Sequence, residues 1–272
     1  MRLRIVHEIV YAFDPPANGA IQTLRLTPRG HDGQFVVNWR IEVDHDCRLS
    51  SARDPFGNIV QSFNTDGKLD GLAITALGEV ETHDMAGMVR GQSERFPVAV
   101  YLRDTQLTES DQGIRSFAAE IDAASPPDRL STLHALMDGL HDAMEPGETE
   151  DDRAIAAFAA RKGDARALAH VFIAAARHLG IPSRYASGYL FKPGSEEPDH
   201  SEHGWAEAFI EGVGWIGFDA ACNICPTDAY VRLAIGLDRV GAAPVRGAAY
   251  GDWSAVPKVA IRISEAGTVK QP

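Results

Sequence analysis

Two side chains that could act as an acid–base pair, His203 and Asp219, lie at opposite ends of one predicted β-hairpin. The strand-like run 203–210 is followed by a glycine-rich turn at 211–214 and a second strand-like run at 215–219. Because the open ends of a hairpin meet, we expect Asp219 to accept a hydrogen bond from His203 and fix its tautomer. The alternatives are structural: a carboxylate that caps the following turn, and a buried histidine held by hydrogen bonds.

A buried helix is predicted before this hairpin. Apolar residues recur at helical spacing after Gly163, and Asp164 is a suitable N-cap, so the helix should start near Ala165. Gly180 and Pro182 should end it. The amide groups and dipole of a helix N-terminus stabilise a thiolate, and an adjacent imidazole can take and return its proton. A helix N-terminus that faces a His–Asp pair is therefore typical of a thiol-dependent site.

Three segments carry a family resemblance: residues 180–189, 203–207 and 214–219. They resemble, in register, the Ile-Pro-x-Arg-Tyr-x-Ser-Gly-Tyr, His-Ala-Trp-Ala-Glu and Gly-Trp-x-x-Phe-Asp patterns of the bacterial transglutaminase-like superfamily, which comprises papain-type thiol enzymes. The resemblance extends over most of the chain, including residues 24–28 and the turn at 56–58. It implies an α+β fold, with an N-terminal antiparallel β-sandwich domain and a transglutaminase-like, papain-type core of helices packed on an antiparallel sheet.

The chain departs from the family pattern at the nucleophile. The family typically reads Gly-Val-Cys-Gln-Asp-Phe-Ala-His at the helix start, which places its Cys on Ala165, its Gln on Arg166 and its Asp on Ala167. A methyl group cannot attack a carbonyl carbon. We therefore predict a catalytically inactive relative that keeps a peptide- or amide-binding cleft and acts as a binding or scaffold partner. Because the two neighbouring residues differ as well, natural loss of the thiol is favoured over an engineered Cys-to-Ala change, which stays an alternative.

Three further residues are candidates for contact with a substrate: Arg166, Trp205 and His170. Arg166 lies at the mouth of the implied cleft, where it could bind a carboxylate or be solvated. His170 lies five residues into the helix and is interpreted as a core or cleft-wall histidine. The backbone N–H of Ala165 could still donate a hydrogen bond to a carbonyl oxygen.

Four residues have the spacing of zinc ligands: His200 and His203, then Cys222 and Cys225. If the hairpin turns as predicted, Cys222 lies across from the region of His200 and the four could converge. The pairing of His203 with Asp219 and the lack of a glycine between the cysteines argue against this site. We therefore predict no metal and no cofactor, with zinc-dependent amide hydrolysis or acyl transfer as the alternative.

A displaced nucleophile is another route to an active hydrolase or acyl transferase. The candidates are Ser183, Ser187, Cys222 and Cys225. None of them lies at the helix N-terminus, so none gains the activation that a residue at position 165 would have. The two cysteines follow Asp219 and should approach the imidazole from the wrong side.

Composition limits the partners. A formal net charge of −12 argues against binding to nucleic acid or to an anionic membrane. Three cysteines do not make a disulfide framework, and no apolar run approaches a membrane span, so we predict a cytoplasmic protein. The expected partner is a peptide or protein, including the possibility of an active relative of the same family.

The remaining elements follow from alternating and helical patterns. Strands are predicted at 3–11, 22–26, 35–43, 48–53, 59–63 and 72–81, with Phe35 on the buried face of the third. Helices are predicted at 111–124, after 126, and up to Phe158. The apolar stripe of the second of these helices is Leu130, Leu133, Met137, Leu140 and Met144. We predict a β domain at 1–105 and a core domain at 106–272, with a strand at residues 256–264 that returns to the β domain as the alternative to a purely core position.

Overall fold

The computed structural model describes residues 1–92, 94–149, 151–195, 197–251 and 256–267. Its strands are β1 (Arg2–Thr27), β2 (Gln34–Val43), β3 (Ser50–Arg53), β4 (Ile59–Thr82), β5 (Met88–Val89), β6 (Glu145–Pro146), β7 (Lys162–Gly163), β8 (Ser183–Leu190), β9 (His203–Ile210), β10 (Gly214–Phe218), β11 (Tyr230–Gly236), β12 (Val245–Ala249) and β13 (Lys258–Glu265). Its helices are α1 (Gln112–Ala124), α2 (Arg129–Ala143), α3 (Ala154–Ala160) and α4 (Ala165–His178), with a 3₁₀ turn at Val98–Leu102. No helix in these ranges is long and apolar enough to cross a membrane.

Two long strands, β1 and β4, form the centre of the N-terminal antiparallel sheet. They pair with each other over most of their length. On the outer side of β1, β13 pairs with the first half and β12 with the second. On the outer side of β4, β3 pairs with the first half and β2 with the second. Both halves of the long strands contribute to one hydrophobic cluster, which includes Ile9, Leu24, Phe63 and Ile74. The β-rich N-terminal region and the antiparallel core sheet with its helices confirm the predicted α+β fold.

The separate strands predicted in this region are wrong in their boundaries. Residues 3–11 and 22–26 belong to the single strand β1, and residues 59–63 and 72–81 belong to β4. Strand β1 continues through Asp14–Pro16, where its pairing with β4 is interrupted. The pairing resumes after register shifts between Ala12 and Gly19. The strand predicted at 48–53 is shorter and begins at Ser50.

Phe35 is an exception to the predicted buried face of β2. Its residue is 64% exposed, although Trp39 on the same predicted face packs against the core. A register shift in the pairing of β2 with β4 falls between Val36 and Asn38. Because side chains alternate along a strand, one extra residue moves the preceding side chains to the opposite face.

Helix α4 is the centre of the core. Its residues from Ala167 to Arg177 are all buried. It packs on the sheet of order β11-β8-β9-β10-β5 and contacts α1, α2 and α3. The helix begins where predicted, with the Asp164 carboxylate accepting the N–H groups of Arg166 and Ala167. Gly180, with a φ of 74°, follows its C-terminus as predicted.

The other predicted helices correspond to α1, α2 and α3. The apolar stripe of α2 is correct for Leu133, Met137 and Leu140, which are buried. Leu130 was predicted in this stripe but is 37% exposed, because it lies in the first turn of α2. Leu136 completes the buried face instead.

Side-chain amides join the N-terminal region to the edge strand β11. Gln34 exchanges two hydrogen bonds with the main chain of Arg232, at 2.7 and 2.9 Å. Asn58 does the same with Ile235, at 2.8 and 2.9 Å. These amides satisfy backbone groups that an edge strand would otherwise leave unpaired. The predicted domain boundary at residue 105 stays a prediction. Strand β5 lies before this residue but extends the core sheet, whereas β12 and β13 lie after it but extend the N-terminal sheet.

A buried carboxylate, Glu207 on β9, links three strands of the core sheet. Its oxygens accept hydrogen bonds from Arg184 on β8 at 2.7 Å and from Arg232 on β11 at 2.6 and 2.9 Å. Arg184 also lies over the ring of Trp215, 3.7 Å from its centroid. Burial would raise the pKa of Glu207, but the two guanidinium groups outweigh it and hold the pKa at about 2.

We expect Glu207→Gln to lower the free energy of unfolding by about 3–5 kcal/mol, because it removes the buried carboxylate that two buried guanidinium groups share and leaves Arg184 with only the half-buried Glu94 as a charged partner. Chemical denaturation at neutral pH measures the change. Glu211→Gln, in the exposed turn between β9 and β10, is the matched control and should change stability by less than about 0.5 kcal/mol. A loss below about 1 kcal/mol in Glu207→Gln would contradict this account.

Candidate functional site

The β9–β10 hairpin brings His203 and Asp219 together, as the sequence predicts. The two strands pair from Gly214 opposite Ile210 to Phe218 opposite Ala206, so the next residue, Asp219, reaches the start of β9. His203 Nε2 lies 2.6 Å from Asp219 Oδ2. The imidazole is 14% exposed and the carboxylate 1%, so the pair is shielded from water but remains accessible through the ring.

Asp219 is also held by groups that the sequence did not reveal. The Tyr230 hydroxyl donates a hydrogen bond to Oδ2 at 2.7 Å. The N–H groups of Ala221 and Cys222 donate to Oδ1 at 3.0 and 3.2 Å. Tyr230 begins β11, which is not a neighbour of β10 in the sheet. No local sequence signal identifies it, because its position depends on the strand order.

The pair has the electrostatics of an ion pair. Burial alone would lower the pKa of His203, but the hydrogen bond and charge of Asp219, with a contribution from Cys222, raise the pKa to about 9. Burial would raise the pKa of Asp219, and the hydrogen bond and charge of His203 instead lower it. The arrangement therefore favours imidazolium and carboxylate near neutral pH.

The start of α4 and His203 line the same pocket. This pocket has a volume of about 100 Å³, and its walls include Ala165, Arg166, Tyr189, Glu202 and His203. Ala165, at the first position of α4, and the imidazole of His203 thus lie on the wall of one pocket. Among the described residues, no acceptor takes the N–H of Ala165, since the Asp164 carboxylate binds the next two amides.

Charged groups surround the pocket in pairs. Arg166 binds Asp164 at 2.5 Å, and Lys192 binds Asp199 at 2.8 Å. Glu202 adds a further carboxyl group to the wall. Burial raises the pKa of Glu202, although the charges of Arg166 and Arg239 act against this shift. Glu202 directly precedes His203 in the sequence. This adjacency is the sequence signal that could have identified Glu202 as a pocket residue.

Of the three predicted substrate-contacting residues, Arg166 lines the pocket and the other two do not. Trp205 is 2% exposed and packs beside the His203 ring at 6.3 Å between centroids, so it supports the imidazole from within the core. His170 is fully buried. Its Nδ1 lies 2.7 Å from the Asp152 carbonyl oxygen, and its Nε2 accepts the N–H of Arg239 at 3.1 Å. Both ring nitrogens of His170 are therefore satisfied inside the protein.

The four residues of the alternative zinc site, His200, His203, Cys222 and Cys225, do not converge. His200 Nδ1 lies 3.1 Å from the Val259 carbonyl oxygen, and Cys225 Sγ lies 3.6 Å from His134 Nε2. Within the described ranges, the group of close metal-ligating atoms instead consists of His203, Asp219 and Cys222. The correction follows from the fold of the loop after β10, which directs the two cysteines to different neighbours.

The two candidate serine nucleophiles are buried and engaged. Ser183 is 0% exposed and donates to the Ile181 carbonyl oxygen at 3.1 Å. Ser187 is 1% exposed and donates to the Ala242 carbonyl oxygen at 2.9 Å. Both hydroxyl groups lie within the core sheet and do not line the pocket at Ala165.

Comparison with family models identifies two regions of the chain. Residues 3–81 match the bacterial transglutaminase-like N-terminal region, and residues 115–220 match the transglutaminase-like superfamily. Among curated proteins, the uncharacterized protein ML0607 of Mycobacterium leprae (strain TN) is 26% identical over 257 residues, which covers 90% of this chain and 92% of that protein.

One solved structure shows the same fold, and a second, more distant one is also similar. A candidate cysteine protease from Cytophaga hutchinsonii superposes with a TM-score of 0.78 at 21% identity, covering all of this chain and 93% of that one. The periplasmic domain of TgpA from Pseudomonas aeruginosa has a TM-score of 0.39 at 13% identity, with 79% of this chain and 87% of that one covered.

We expect the stability that His203 contributes to depend on pH. Its folded-state pKa of about 9 lies above its ordinary value of 6.5, so the contribution is complete below pH 6.5 and is lost as pH rises through 9. The free energy of unfolding should therefore fall across this interval by up to about 3 kcal/mol. Denaturant unfolding at a series of pH values measures it. His203→Gln should lack this component, and an equal slope in both proteins would contradict the ion pair.

Proposed function

This chain carries the bacterial transglutaminase-like N-terminal region and a core of the transglutaminase-like superfamily, and we propose that it binds a peptide or amide group without cleaving or transferring it. It is then a pseudoenzyme of the thiol peptidase and acyltransferase type. Its expected partner is a peptide or protein, for which an active relative of the same family is one candidate. A cytoplasmic location belongs to this proposal and stays a prediction.

One observation carries the proposal. Ala165 lies at the first position of α4 and lines the same pocket as His203. Thiol-dependent acyl transfer requires a sulfur atom at this helix tip, because the amides and the imidazole there stabilise the thiolate. With a methyl group in its place, the imidazole has no proton to take from a nucleophile. The first covalent step is therefore missing.

The remaining parts of the pocket suit binding. The N–H of Ala165 can donate to a carbonyl oxygen, as an oxyanion-hole amide does. His203 offers a charged donor, and Arg166 stands at the same wall. A substrate amide or backbone carbonyl could thus be held by the groups that would have surrounded the reacting carbon.

The surroundings of Ala165 favour a natural loss of the thiol. Arg166 replaces the neutral residue of the family pattern and forms an ion pair with the N-cap, Asp164. Its Nε lies 2.8 Å from Asp164 Oδ2. A side chain integrated in this way indicates a helix start that has changed as a unit, which an isolated change at position 165 would not produce.

An active enzyme is the second candidate, because Cys222 lies beside His203 and Asp219. In this alternative, Cys222 would supply the thiol. Against it, Cys222 does not line the pocket that contains Ala165. Amide cleavage by the wild-type protein that disappears in both Cys222→Ser and His203→Ala would replace the proposed binding function with this one.

We expect Ala165→Cys to create a reactive thiolate, because the helix amides and the His203 imidazolium stabilise the anion. Iodoacetamide should alkylate residue 165 with a midpoint at least about one pH unit below an ordinary thiol pKa of about 8.5. Peptide mass mapping in the presence of a chelator identifies the modified cysteine. The control is Ala165→Cys combined with His203→Gln, in which the midpoint should rise. An ordinary midpoint that is the same in both would show that helix and imidazole do not face each other.

We also expect the wild-type protein to bind an acetylated, fluorescein-labelled glutamine-containing peptide saturably and to leave it unchanged by mass. Ala165→Phe should abolish the binding, because the ring fills a pocket of about 100 Å³. The matched control is Ala159→Phe, at an exposed position of α3. Fluorescence anisotropy measures the affinity. Equal binding by all three proteins would place the peptide elsewhere, and no binding by the wild type would remove support for an amide-binding cleft.

A further inference from the structure

A cluster of three metal-ligating side chains lies on the Asp219 side of the His203 ring. The Sγ atom of Cys222, a ring nitrogen of His203 and a carboxylate oxygen of Asp219 all lie within 4.8 Å of one another. Asp219 is buried and His203 is nearly so, while Cys222 is exposed. A thiol, an imidazole and a carboxylate therefore meet where solvent has access from the Cys222 side.

Main-chain hydrogen bonds hold Cys222 in this position. The loop after β10 closes on itself because Asp219 and Ile224 exchange two backbone hydrogen bonds, at 3.0 and 3.2 Å. Asn223 adopts the left-handed conformation that the turn requires, with a φ of 53°. The Cys222 N–H itself donates to Asp219 Oδ1 at 3.2 Å. The thiol is thus placed by the backbone of a tight loop.

We propose that Cys222, His203 and Asp219 bind a zinc ion, with water as the fourth ligand on the solvent side. Zinc accepts thiolate, imidazole and carboxylate ligands, and sites with three protein ligands keep one open position. A soft thiolate combined with an imidazole favours zinc over magnesium or calcium, which prefer oxygen ligands alone. The sequence predicted no metal, and this site also differs from the four-ligand alternative, because it uses Asp219 and excludes His200 and Cys225.

The ligand separations suit this ion after a small adjustment. His203 Nε2 now lies at hydrogen-bond distance from Asp219 Oδ2, at 2.6 Å. Zinc lies about 2.0–2.2 Å from nitrogen and oxygen and about 2.3 Å from sulfur, so tetrahedral ligand atoms are about 3.3–3.7 Å apart. Binding therefore requires the imidazole and carboxylate to separate by about 1 Å. The protons on Nε2 and on the Cys222 sulfur leave to solvent.

Further hydrogen bonds would orient the ligands, as in known zinc sites. Tyr230 donates to Oδ2 of Asp219, and the N–H groups of Ala221 and Cys222 donate to Oδ1. By contrast, Cys225 Sγ has the ring of His134 at 3.6 Å and belongs to no group of three close ligands among the described residues. Cys225 therefore serves as a built-in control for Cys222.

This inference goes beyond the proposed binding function and does not depend on it. Zinc would occupy Nε2 and leave Nδ1 without the metal. The zinc site and the pocket at Ala165 would then share His203. A histidine and an aspartate that no longer serve a thiol nucleophile would then retain a separate chemical use.

Cobalt titration of the full chain, stripped of metal with a chelator, tests the site. We expect one equivalent of Co²⁺ to produce the visible bands of tetrahedral cobalt and a near-ultraviolet thiolate-to-cobalt band, both displaced by Zn²⁺. Cys222→Ser should lose the thiolate band and bind zinc at least about tenfold more weakly. Cys225→Ser should retain both the band and the affinity. Because serine keeps a hydrogen-bonding group at this exposed position, metal-free Cys222→Ser should remain folded, which its melting temperature measures.

Several results would overturn the proposal: no cobalt binding, a cobalt spectrum without a thiolate band, a band that survives in Cys222→Ser, or a band lost in Cys225→Ser. A reactive but metal-free Cys222 would also overturn it in favour of a thiol–imidazole pair. Failure here leaves the alkylation of Ala165→Cys unaffected, since that measurement is made in chelator. Conversely, an ordinary thiol at position 165 would leave the cobalt result standing.

Discussion

The buried carboxylate of Glu207 is the interaction on which the core sheet depends. A charge removed from water requires close partners, and Glu207 finds them in Arg184 and Arg232 on two other strands. These strands cannot shift relative to β9 without breaking the network. Because side chains alternate along a strand, the orientation of Glu207 also determines that of Trp205 and His203 on β9. The salt-bridge network at Glu207 thus positions Trp205, two residues away, and the imidazole of His203, four residues away.

The position of Ala165 allows the side chain at the tip of α4 to change without loss of the fold. The buried part of α4 runs from Ala167 to Arg177, and the helix start is held by the Asp164 carboxylate. The side chain at 165 contributes to the pocket wall and not to the core. Helix packing therefore imposes no constraint on this residue. The chemistry at the helix tip can change while the scaffold around it persists.

His203 lies between two environments. It lines the pocket that contains Ala165, and its Nε2 meets Asp219. Tyr230 and the loop that carries Cys222 lie next to Asp219. The role of a His–Asp pair in a thiol enzyme is usually explained by the nucleophile that it activates. Here the hydrogen bonds that Tyr230 and the main chain donate to Asp219 give the pair a structural role that does not require one.

Local patterns in the sequence determined α4, its Asp164 cap and the β9–β10 hairpin, and through the hairpin the contact between His203 and Asp219. Each of these depends on periodicity, capping or a tight turn over a short stretch of chain. Only the tertiary structure decided that Tyr230 bonds to Asp219, that His170 is satisfied in the core, and that Cys222 and Cys225 have different neighbours. It also decided that β1 and β4 are continuous. These features depend on which distant strands and loops meet, and residue types along the chain do not encode that order locally.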